Sequence, residues 1–224
     1  MRQALGIDTL TAIYGRLAQR YDWQHRLITF ASDQRGRRLL VEHTVREGDR
    51  VLDAGAGTGS TALMAARRVG PTGKVTLYDL SNDMLDVARD KAEVAGLEER
   101  LDFYDGDMVH LPFPDGVFDV VLSTYSLCPL YDPAKGVLEL YRVLRPGGKL
   151  GCAHSAEPEH RITRWLADRV EDIAWRFPWL SMGCRAVDVL PVLLAAGARV
   201  RFIKRIGVPL WPFVVFVVEK PART

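Results

Sequence analysis

The feature that most constrains this chain is a turn with glycine at every second position, Gly55, Gly57 and Gly59. A strand-like run that ends at Asp53 leads into the turn, and a helical pattern starts at Ser60. Glycine has no Cβ, so it allows a sharp turn off a strand end and lets a ligand approach the backbone closely. The pattern therefore predicts a strand-turn-helix unit with a ligand at the turn, although a tight turn without a ligand remains an alternative.

The spacing of these glycines separates two classes of ligand. The third glycine comes one residue earlier than in the G-x-G-x-x-G pattern that holds the pyrophosphate of a dinucleotide. The carboxylate of Asp53 also suits a pyrophosphate poorly, and it better suits a cationic ligand that carries a sulfonium and an ammonium group. The spacing therefore counts against a nicotinamide-dependent oxidoreductase. Such an enzyme, which would bind a dinucleotide, is an alternative function of a different class.

A second strand is predicted over Lys74 to Tyr78, and Asp79 follows it. About one strand-helix-strand unit separates Asp53 from Asp79, so Asp79 should emerge beside the glycine turn. A carboxylate in that position can accept hydrogen bonds from both hydroxyls of a ribose. Asp79 could instead cap the next helix, but Ser81 is better placed for that role. We therefore predict ribose binding by Asp79, with the neighbouring Leu80 against the adenine.

Three further motifs accompany the glycine turn. The pair Tyr21-Asp22 precedes it, and two strings follow it, LPFPDGVFD over 111–119 and YRVLRPGGKL over 141–150. Together they resemble the class I S-adenosylmethionine (SAM) dependent methyltransferases, and in particular the ubiquinone/menaquinone biosynthesis C-methyltransferase family. The resemblance covers roughly Tyr21 to His154. It implies an α/β fold with a Rossmann-like seven-stranded methyltransferase sheet, helices on both faces and an N-terminal helical lid.

The same resemblance assigns roles around a bound SAM. Asp53 would balance the positive groups of the donor, Asp107 would accept from the adenine amino group, and the backbone N–H of Met108 would donate to the ring. A carboxylate in a polar turn is the alternative role for Asp107. Tyr21 and Ser123 complete the predicted cofactor site.

The segment before the glycine turn is predicted to form two helices. Leu10, Tyr14 and Leu17 share one face of the first. A second helix is predicted from about His25 to Val45, with its arginines 35, 37 and 38 in solvent. The pair either packs against the sheet or closes as a lid, in which case Tyr14, Tyr21 and His25 would face the ligands.

The acceptor is expected near the residues that follow the fourth strand, since ligands of open α/β sheets bind beyond the carboxyl ends of the strands. Tyr125, Cys128 and Tyr131 are the predicted substrate-binding residues. Cys128-Pro129 replaces the Arg-Asn pair of the quinone family, which leaves the acceptor open. His154, at the end of the fifth strand, is a candidate general base because histidine titrates near neutral pH. A histidine with a purely structural hydrogen bond is the alternative.

The rest of the chain predicts a helix over Glu157 to Trp179, a helix over Arg185 to Ala196, and strands over Arg199 to Arg205 and Leu210 to Glu219. The connection between these strands is too short for a helical crossover, so they should pair antiparallel. The helix predicted over Glu157 to Trp179 carries the apolar side chains Ile162, Trp165, Leu166, Val170, Trp175, Phe177 and Trp179. The default expectation is that they cover the core. They could instead form a wall of the acceptor pocket or make a transient contact with a membrane surface.

Composition sets the remaining bounds. A net charge of +2 gives no reason to expect nucleic-acid binding, and three widely spaced cysteines fit reduced thiols better than disulfides or a metal site. No secretory signal or membrane-spanning stretch is expected, so the chain is predicted to be cytoplasmic, as a monomer or homodimer. We expect one domain, divided into a lid (1–47), a SAM-binding core (48–156), a substrate-side insertion (157–197) and a terminal hairpin (198–224).

The function that these expectations favour is SAM-dependent methyl transfer to a small, apolar or aromatic, quinol-like acceptor. A phospholipid amine N-methyltransferase and a natural-product O-methyltransferase are alternatives with the same donor. A non-catalytic SAM-binding module is another. No residue pattern decides whether carbon, oxygen or nitrogen is methylated.

Overall fold

The computed structural model of the chain describes residues 5–29, 31–175 and 183–222. Its centre is a seven-stranded sheet with the strand order β3-β2-β1-β4-β5-β7-β6. The first five strands run parallel, whereas β7 lies antiparallel between β5 and β6. The strands are β1 (Arg50–Ala54), β2 (Lys74–Asp79), β3 (Leu101–Asp105), β4 (Phe118–Thr124), β5 (Leu144–Ser155), β6 (Arg199–Val208) and β7 (Trp211–Glu219). This order confirms the predicted seven-stranded methyltransferase sheet and its antiparallel terminal hairpin.

The helices cover both faces of this sheet. Three precede β1, one follows each of β1 and β2, and the others flank β5 or precede β6. They are α1 (Ile7–Leu17), α2 (Tyr21–Ile28), α3 (Ser32–Thr44), α4 (Ser60–Val69), α5 (Asn82–Ala95), α6 (Pro133–Val143), α7 (Arg161–Ala174) and α8 (Leu190–Ala195). Among the residues described, no helix is both long enough and apolar enough to cross a membrane.

The central strands are apolar on both faces because helices cover both sides of the sheet. Val51 and Leu122 belong to a core cluster shared with α3, α4 and α5. Their neighbours Leu52 and Val121 belong to a second cluster shared with α6 and α8. All four side chains are fully buried. The carboxyl ends of β1, β2 and β4 therefore meet at one edge, and the loops that leave this edge form the site.

The amino-terminal segment differs from the prediction of one long second helix. The structure has two helices there, and the break between them contains Ala31 in a left-handed conformation with φ 58°. The hydroxyl of Thr29 donates to the backbone carbonyl of His25 and to Oδ1 of Asp33. These bonds join the end of α2 to the first turn of α3, a contact that apolar periodicity does not encode.

The region after β5 also differs from prediction. α7 begins at Arg161 rather than Glu157, and Phe177 and Trp179 lie outside the described residues. The helix predicted from Arg185 begins only at Leu190, and residues 184–189 have no regular secondary structure. There Arg185 Nη2 donates to the carbonyl of Leu130, so this segment is held across the loop after β4.

The apolar stripe of α7 faces solvent and does not cover the core, contrary to the default expectation. Ile162 is 76% exposed and Trp165 is 57% exposed, while Ala167 on the opposite side is buried. The guanidinium carbon of Arg169 lies 5.7 Å from the centroid of the Trp165 ring. The helix therefore presents an exposed aromatic and apolar surface.

Candidate functional site

The glycine turn has the backbone that its sequence predicts. Gly55, Gly57 and Gly59 all have positive φ, at 68°, 53° and 73°. A Cβ on Gly55 would overlap Ser126, and one on Gly59 would come within 2.9 Å of the Ala88 Cβ. A Cβ on Gly57 would meet nothing within 4 Å. Packing therefore requires glycine at the first and third positions, whereas the second leaves open space at the turn.

A cavity lies over this turn, between the carboxyl edge of the sheet and the amino-terminal helices. Many of the predicted ligand residues line it, from both the donor and the acceptor assignments: Tyr14, Tyr21, Gly55, Gly57, Asp79, Leu80, Asp107, Met108 and Tyr125. Leu10, Tyr78, Met84, Thr124, Ser126, Pro129 and Leu130 are further lining residues. These nine predicted residues therefore meet at one cavity, whereas Gly59 and His25 are not part of its wall.

Asp79 points back at the glycine turn. Its Oδ2 accepts from the N–H of Gly57 at 2.7 Å, and its Oδ1 accepts from the N–H of Ser81 at 2.9 Å. Burial raises the pKa of Asp79, and these backbone donors oppose the rise. Each carboxylate oxygen keeps a second lone pair. Ser81 caps α5 as predicted, since its Oγ accepts from Met84 N.

Asp53 lies beneath the turn and does not line the cavity. It is fully buried, and neither carboxylate oxygen has a hydrogen bond of good geometry among the described residues, although the N–H of Ala62 is close enough to lower its pKa. Burial raises its pKa to about 7, against the attraction of the Arg37 guanidinium. A cation bound above the turn would lower the pKa of this carboxyl group and favour its charged form, even without direct contact.

Asp107 is held in a polar turn and also lines the cavity. Its surroundings are therefore compatible with the predicted contact to adenine and with a structural role in the turn. Its Oδ1 accepts from Val109 N at 2.9 Å, and its Oδ2 accepts from the Tyr131 hydroxyl at 2.8 Å. Tyr131 itself is not part of the cavity wall. Its contact with the site is through Asp107.

Two other predicted residues lie one layer behind the wall. Ser123 is fully buried and its Oγ is 2.7 Å from Oγ of Ser126, which does line the cavity. Cys128 is buried, and its sulfur accepts from the N–H of Ser155 at 3.3 Å. Both residues shape the loop after β4 rather than the cavity surface.

A group of polar side chains fastens α2 to the glycine turn. Asp22 accepts from the Thr58 hydroxyl at 2.5 Å and from Lys91 Nζ at 2.7 Å. Lys91 also donates to the carbonyl of Thr58 at 2.7 Å. Although burial opposes it, the bonds from Lys91 and Thr58 lower the pKa of Asp22. Sequence analysis singled out the Tyr21-Asp22 pair but not Lys91, whose position on α5 gave no signal.

Arg37 was expected in solvent with its neighbours, and that expectation is wrong. Its side chain is buried under α2, and Nη1 donates to the hydroxyls of Thr61 at 2.7 Å and Thr124 at 2.8 Å. Its guanidinium carbon lies 5.3 Å from the centroid of the Tyr125 ring. Arg37 therefore places a buried positive charge between the amino-terminal helices and the sheet.

His25 and Asp33 form a buried pair beside this arginine. Nδ1 of His25 is 3.3 Å from Oδ2 of Asp33. The imidazole stacks on Tyr21, with ring centroids 5.3 Å apart, and packs at 5.2 Å against Tyr125. Burial lowers the pKa of His25, an effect that Asp33 opposes. His25 thus lies between two tyrosines that line the cavity.

His154 is not brought to this cavity. It points to the face of the sheet that packs on α6 and α8, where its ring contacts Phe216 and Nδ1 donates to the carbonyl of Ser155. It borders a separate cavity near α7, next to a larger one of about 470 Å³ that also lies outside the glycine turn. This placement does not favour the predicted role as a base, because His154 does not line the cavity over the glycine turn.

A model of the ubiE/COQ5 methyltransferase family matches residues 3–167. The ubiquinone/menaquinone biosynthesis C-methyltransferase UbiE of Shewanella halifaxensis is 32% identical over 162 residues, which are 72% of this chain and 64% of that protein. The demethylmenaquinone methyltransferase of Thermus thermophilus is 42% identical over 139 residues, 62% of each chain. The chain thus spans less than two thirds of these relatives.

Solved structures share the fold at lower identity. A SAM-dependent methyltransferase from Aquifex aeolicus has a TM-score of 0.63 at 24% identity, over 93% of this chain and 98% of that one. The [4+2]-cyclase SpnF has a TM-score of 0.70 at 23% identity, over 93% and 96% of the two chains. Because a cyclase shares this fold, the fold alone does not decide the reaction.

Proposed function

Because the chain belongs to the ubiE/COQ5 methyltransferase family, we propose that it transfers a methyl group from SAM to a carbon atom of a quinol-like acceptor. The observation that carries this proposal is the glycine turn with the Asp79 carboxylate folded over it. The names of relatives that methylate quinone precursors support the acceptor class.

The residues at the turn fit the methyl donor. Gly57 opens directly onto the cavity, so a nucleoside can lie against its backbone. Asp79 keeps lone pairs for two ribose hydroxyls, and Leu80, Met84 and Met108 provide apolar surface for a base. Asp53 beneath the turn supplies negative potential for a sulfonium. We propose that these residues hold SAM.

SAM, when bound, supplies a methyl group on a sulfonium that is already a good leaving group. The protein then has to orient the acceptor, exclude water and remove a proton where the reaction needs it. Tyr14, Tyr21 and Tyr125 give the cavity aromatic walls suited to a flat, apolar ring.

Exposed apolar side chains on α7 also support a transient contact with a membrane surface. Ile162 and Trp165 point outward from a helix that carries Arg161 and Arg164 on its first turn. Such a helix can lie at a lipid interface. This contact would serve an acceptor that is dissolved in the membrane.

To test the proposal, the purified protein is incubated with SAM that carries a labelled methyl group and with one acceptor at a time. A demethylmenaquinol with a short tail, a phosphatidylethanolamine and a simple phenol distinguish carbon, nitrogen and oxygen methylation. We expect label in the quinol, located on ring carbon by mass spectrometry. Binding of NAD without binding of SAM would support an oxidoreductase, and binding of SAM with no labelled acceptor would support a non-catalytic module.

The ribose assignment gives a quantitative prediction. Asp79→Ala should weaken SAM binding by about 1–3 kcal/mol, because a buried hydrogen-bond acceptor is lost and two backbone N–H groups are left without it. Isothermal titration calorimetry measures the change. Asp86→Ala is the matched control. Asp86 is an exposed carboxylate on α5, the helix that follows Asp79, and its replacement should leave SAM affinity unchanged. Equal affinities for Asp79→Ala and the original protein would reject the assignment.

The open space at Gly57 gives a second prediction. Gly57→Val should reduce SAM affinity by at least about tenfold, because the new side chain occupies the cavity, and should cost about 1–2 kcal/mol of stability for a left-handed residue. Gly96→Val is the control, since Gly96 has a similar φ of 63° and equally open surroundings at the end of α5. It should show the stability loss alone. Unimpaired SAM binding by Gly57→Val would show that the ligand lies elsewhere.

A further inference from the structure

We infer that His25, oriented by Asp33, is the base that removes the hydroxyl proton of the acceptor before methyl transfer. This inference rests on the proposed function and deepens it. It assigns to the lid a chemical task that sequence analysis gave to His154. His25 is not itself part of the cavity wall, but its ring lies between Tyr21 and Tyr125, which are.

The first step is the orientation of the ring. Nδ1 of His25 faces Oδ2 of Asp33 at 3.3 Å, so the carboxylate favours the tautomer with hydrogen on Nδ1. Nε2 then carries the free lone pair. Asp33 is itself held in place, because its Oδ1 accepts from the Thr29 hydroxyl and its Oδ2 accepts from Gln34 Nε2. Asp33 is therefore a carboxylate fixed beside the imidazole, where it orients the ring through its charge.

The second step is access. Nδ1 is sealed from solvent without a hydrogen bond of good geometry, whereas Nε2 is not sealed. The ring lies between Tyr21 and Tyr125, both of which line the cavity. An acceptor ring against these tyrosines would place its hydroxyl within reach of Nε2, directly or through one water molecule.

The third step is the charge around the imidazole. Asp33 and Arg37 face it from α3, Asp22 and Tyr21 belong to its own helix, and Tyr125 faces it from the loop after β4. Burial and Arg37 hold its pKa below the ordinary value, so the ring is neutral and able to accept a proton near neutral pH. Once it is protonated, Asp33 stabilises the imidazolium.

The reaction then balances without a further co-reactant. The acceptor O–H bond breaks, an Nε2–H bond forms, and the electron pair left on oxygen raises electron density at the adjacent ring carbon. That carbon takes the methyl group, and the electron pair of the broken C–S bond stays on sulfur. His25 returns its proton to the oxygen while the ring C–H proton passes to water, which restores the quinol with one proton released.

The test compares His25→Asn, which keeps an amide near the Nδ1 position for Asp33, with the exposed control His43→Asn on α3. We expect kcat for the quinol to fall by about 10²–10⁴-fold in His25→Asn, the usual contribution of a general base, with SAM affinity unchanged by calorimetry. His43→Asn should keep the original rate. Added imidazole should restore part of the lost rate in His25→Ala, which a structural role would not allow.

A second readout needs no turnover. The probe 4-nitro-1-naphthol absorbs visible light as its anion, and we expect the protein to lower its apparent pKa on binding, an effect absent in His25→Asn. In Asp33→Asn the acid limb of the pH–kcat/KM profile should move to lower pH, because Asp33 raises the pKa of His25. The inference would be overturned if His25→Asn changed neither the rate nor the naphthol spectrum. It would also be overturned if lower SAM affinity or unfolding explained the whole loss of rate.

Discussion

Arg37→Met should lower the free energy of unfolding by about 3–5 kcal/mol, the usual cost of removing one partner from a buried charged group. Arg37 faces Asp33 at 3.9 Å and also lowers the pKa of the buried Asp53. Methionine fills a similar volume, so lost packing contributes little. The expected loss comes from two carboxylates that no longer have a cation nearby. Urea unfolding at pH 8 measures the loss.

Arg38→Met provides the control for this experiment. Arg38 is the next residue on α3, exposed, with one long side-chain hydrogen bond to the carbonyl of Gln34. Its replacement should change stability by no more than about 0.5 kcal/mol, as for most surface substitutions. Similar small losses in both variants would show that the buried charge cluster does not stabilise the lid.

Asp53→Asn should change how stability depends on pH. The folded-state pKa of Asp53 is raised to about 7, above its value in the unfolded chain. A raised pKa means that the contribution of this carboxyl to stability is complete below about pH 4 and is lost as pH rises through about 7. Asparagine has no such loss, so the variant should be more stable than the original protein at pH 8, by up to about 4 kcal/mol for a carboxyl whose pKa is raised to about 7.

The measurement is the difference between the two proteins in urea unfolding at pH 4.5 and pH 8. Burial raises the pKa of Asp79 in the same direction, but Asp79 is present in both proteins and cancels in the comparison. Asp86→Asn, at an exposed carboxylate, should retain the original pH dependence. If Asp53→Asn retained it too, the buried carboxyl would not be the group that titrates. SAM should also bind Asp53→Asn more weakly, since the negative potential under the turn is gone.

Local sequence patterns were sufficient for the parts of the site that lie on the strand-turn-helix units. Gly57 and Asp79 are placed by short segments whose backbone is fixed by glycine and by the parallel sheet, and the two meet at 2.7 Å as their spacing predicts. The antiparallel hairpin of β6 and β7 likewise follows from a connection too short for a crossover.

Side-chain direction was harder to predict where two faces of an element are both buried. His154 and Ala153 are neighbours on β5, and Ala153 packs on the α3 side while His154 contacts Phe216 on the other. A strand that is apolar on both faces carries no alternation that tells which side chain faces which layer. The choice of His154 as a base depended on that missing information.

The sequence by itself determined the fold, the position of the glycine turn and the carboxylate that faces it, because these depend on local backbone geometry and on the order of strands. Only the tertiary structure decided that Arg37 is buried, that Lys91 joins Asp22 to Thr58, and that His25 lies beside Asp33. These contacts join residues on different elements, and their formation depends on how the lid helices bend at Ala31 and pack on the sheet. No periodicity within a single segment records that packing.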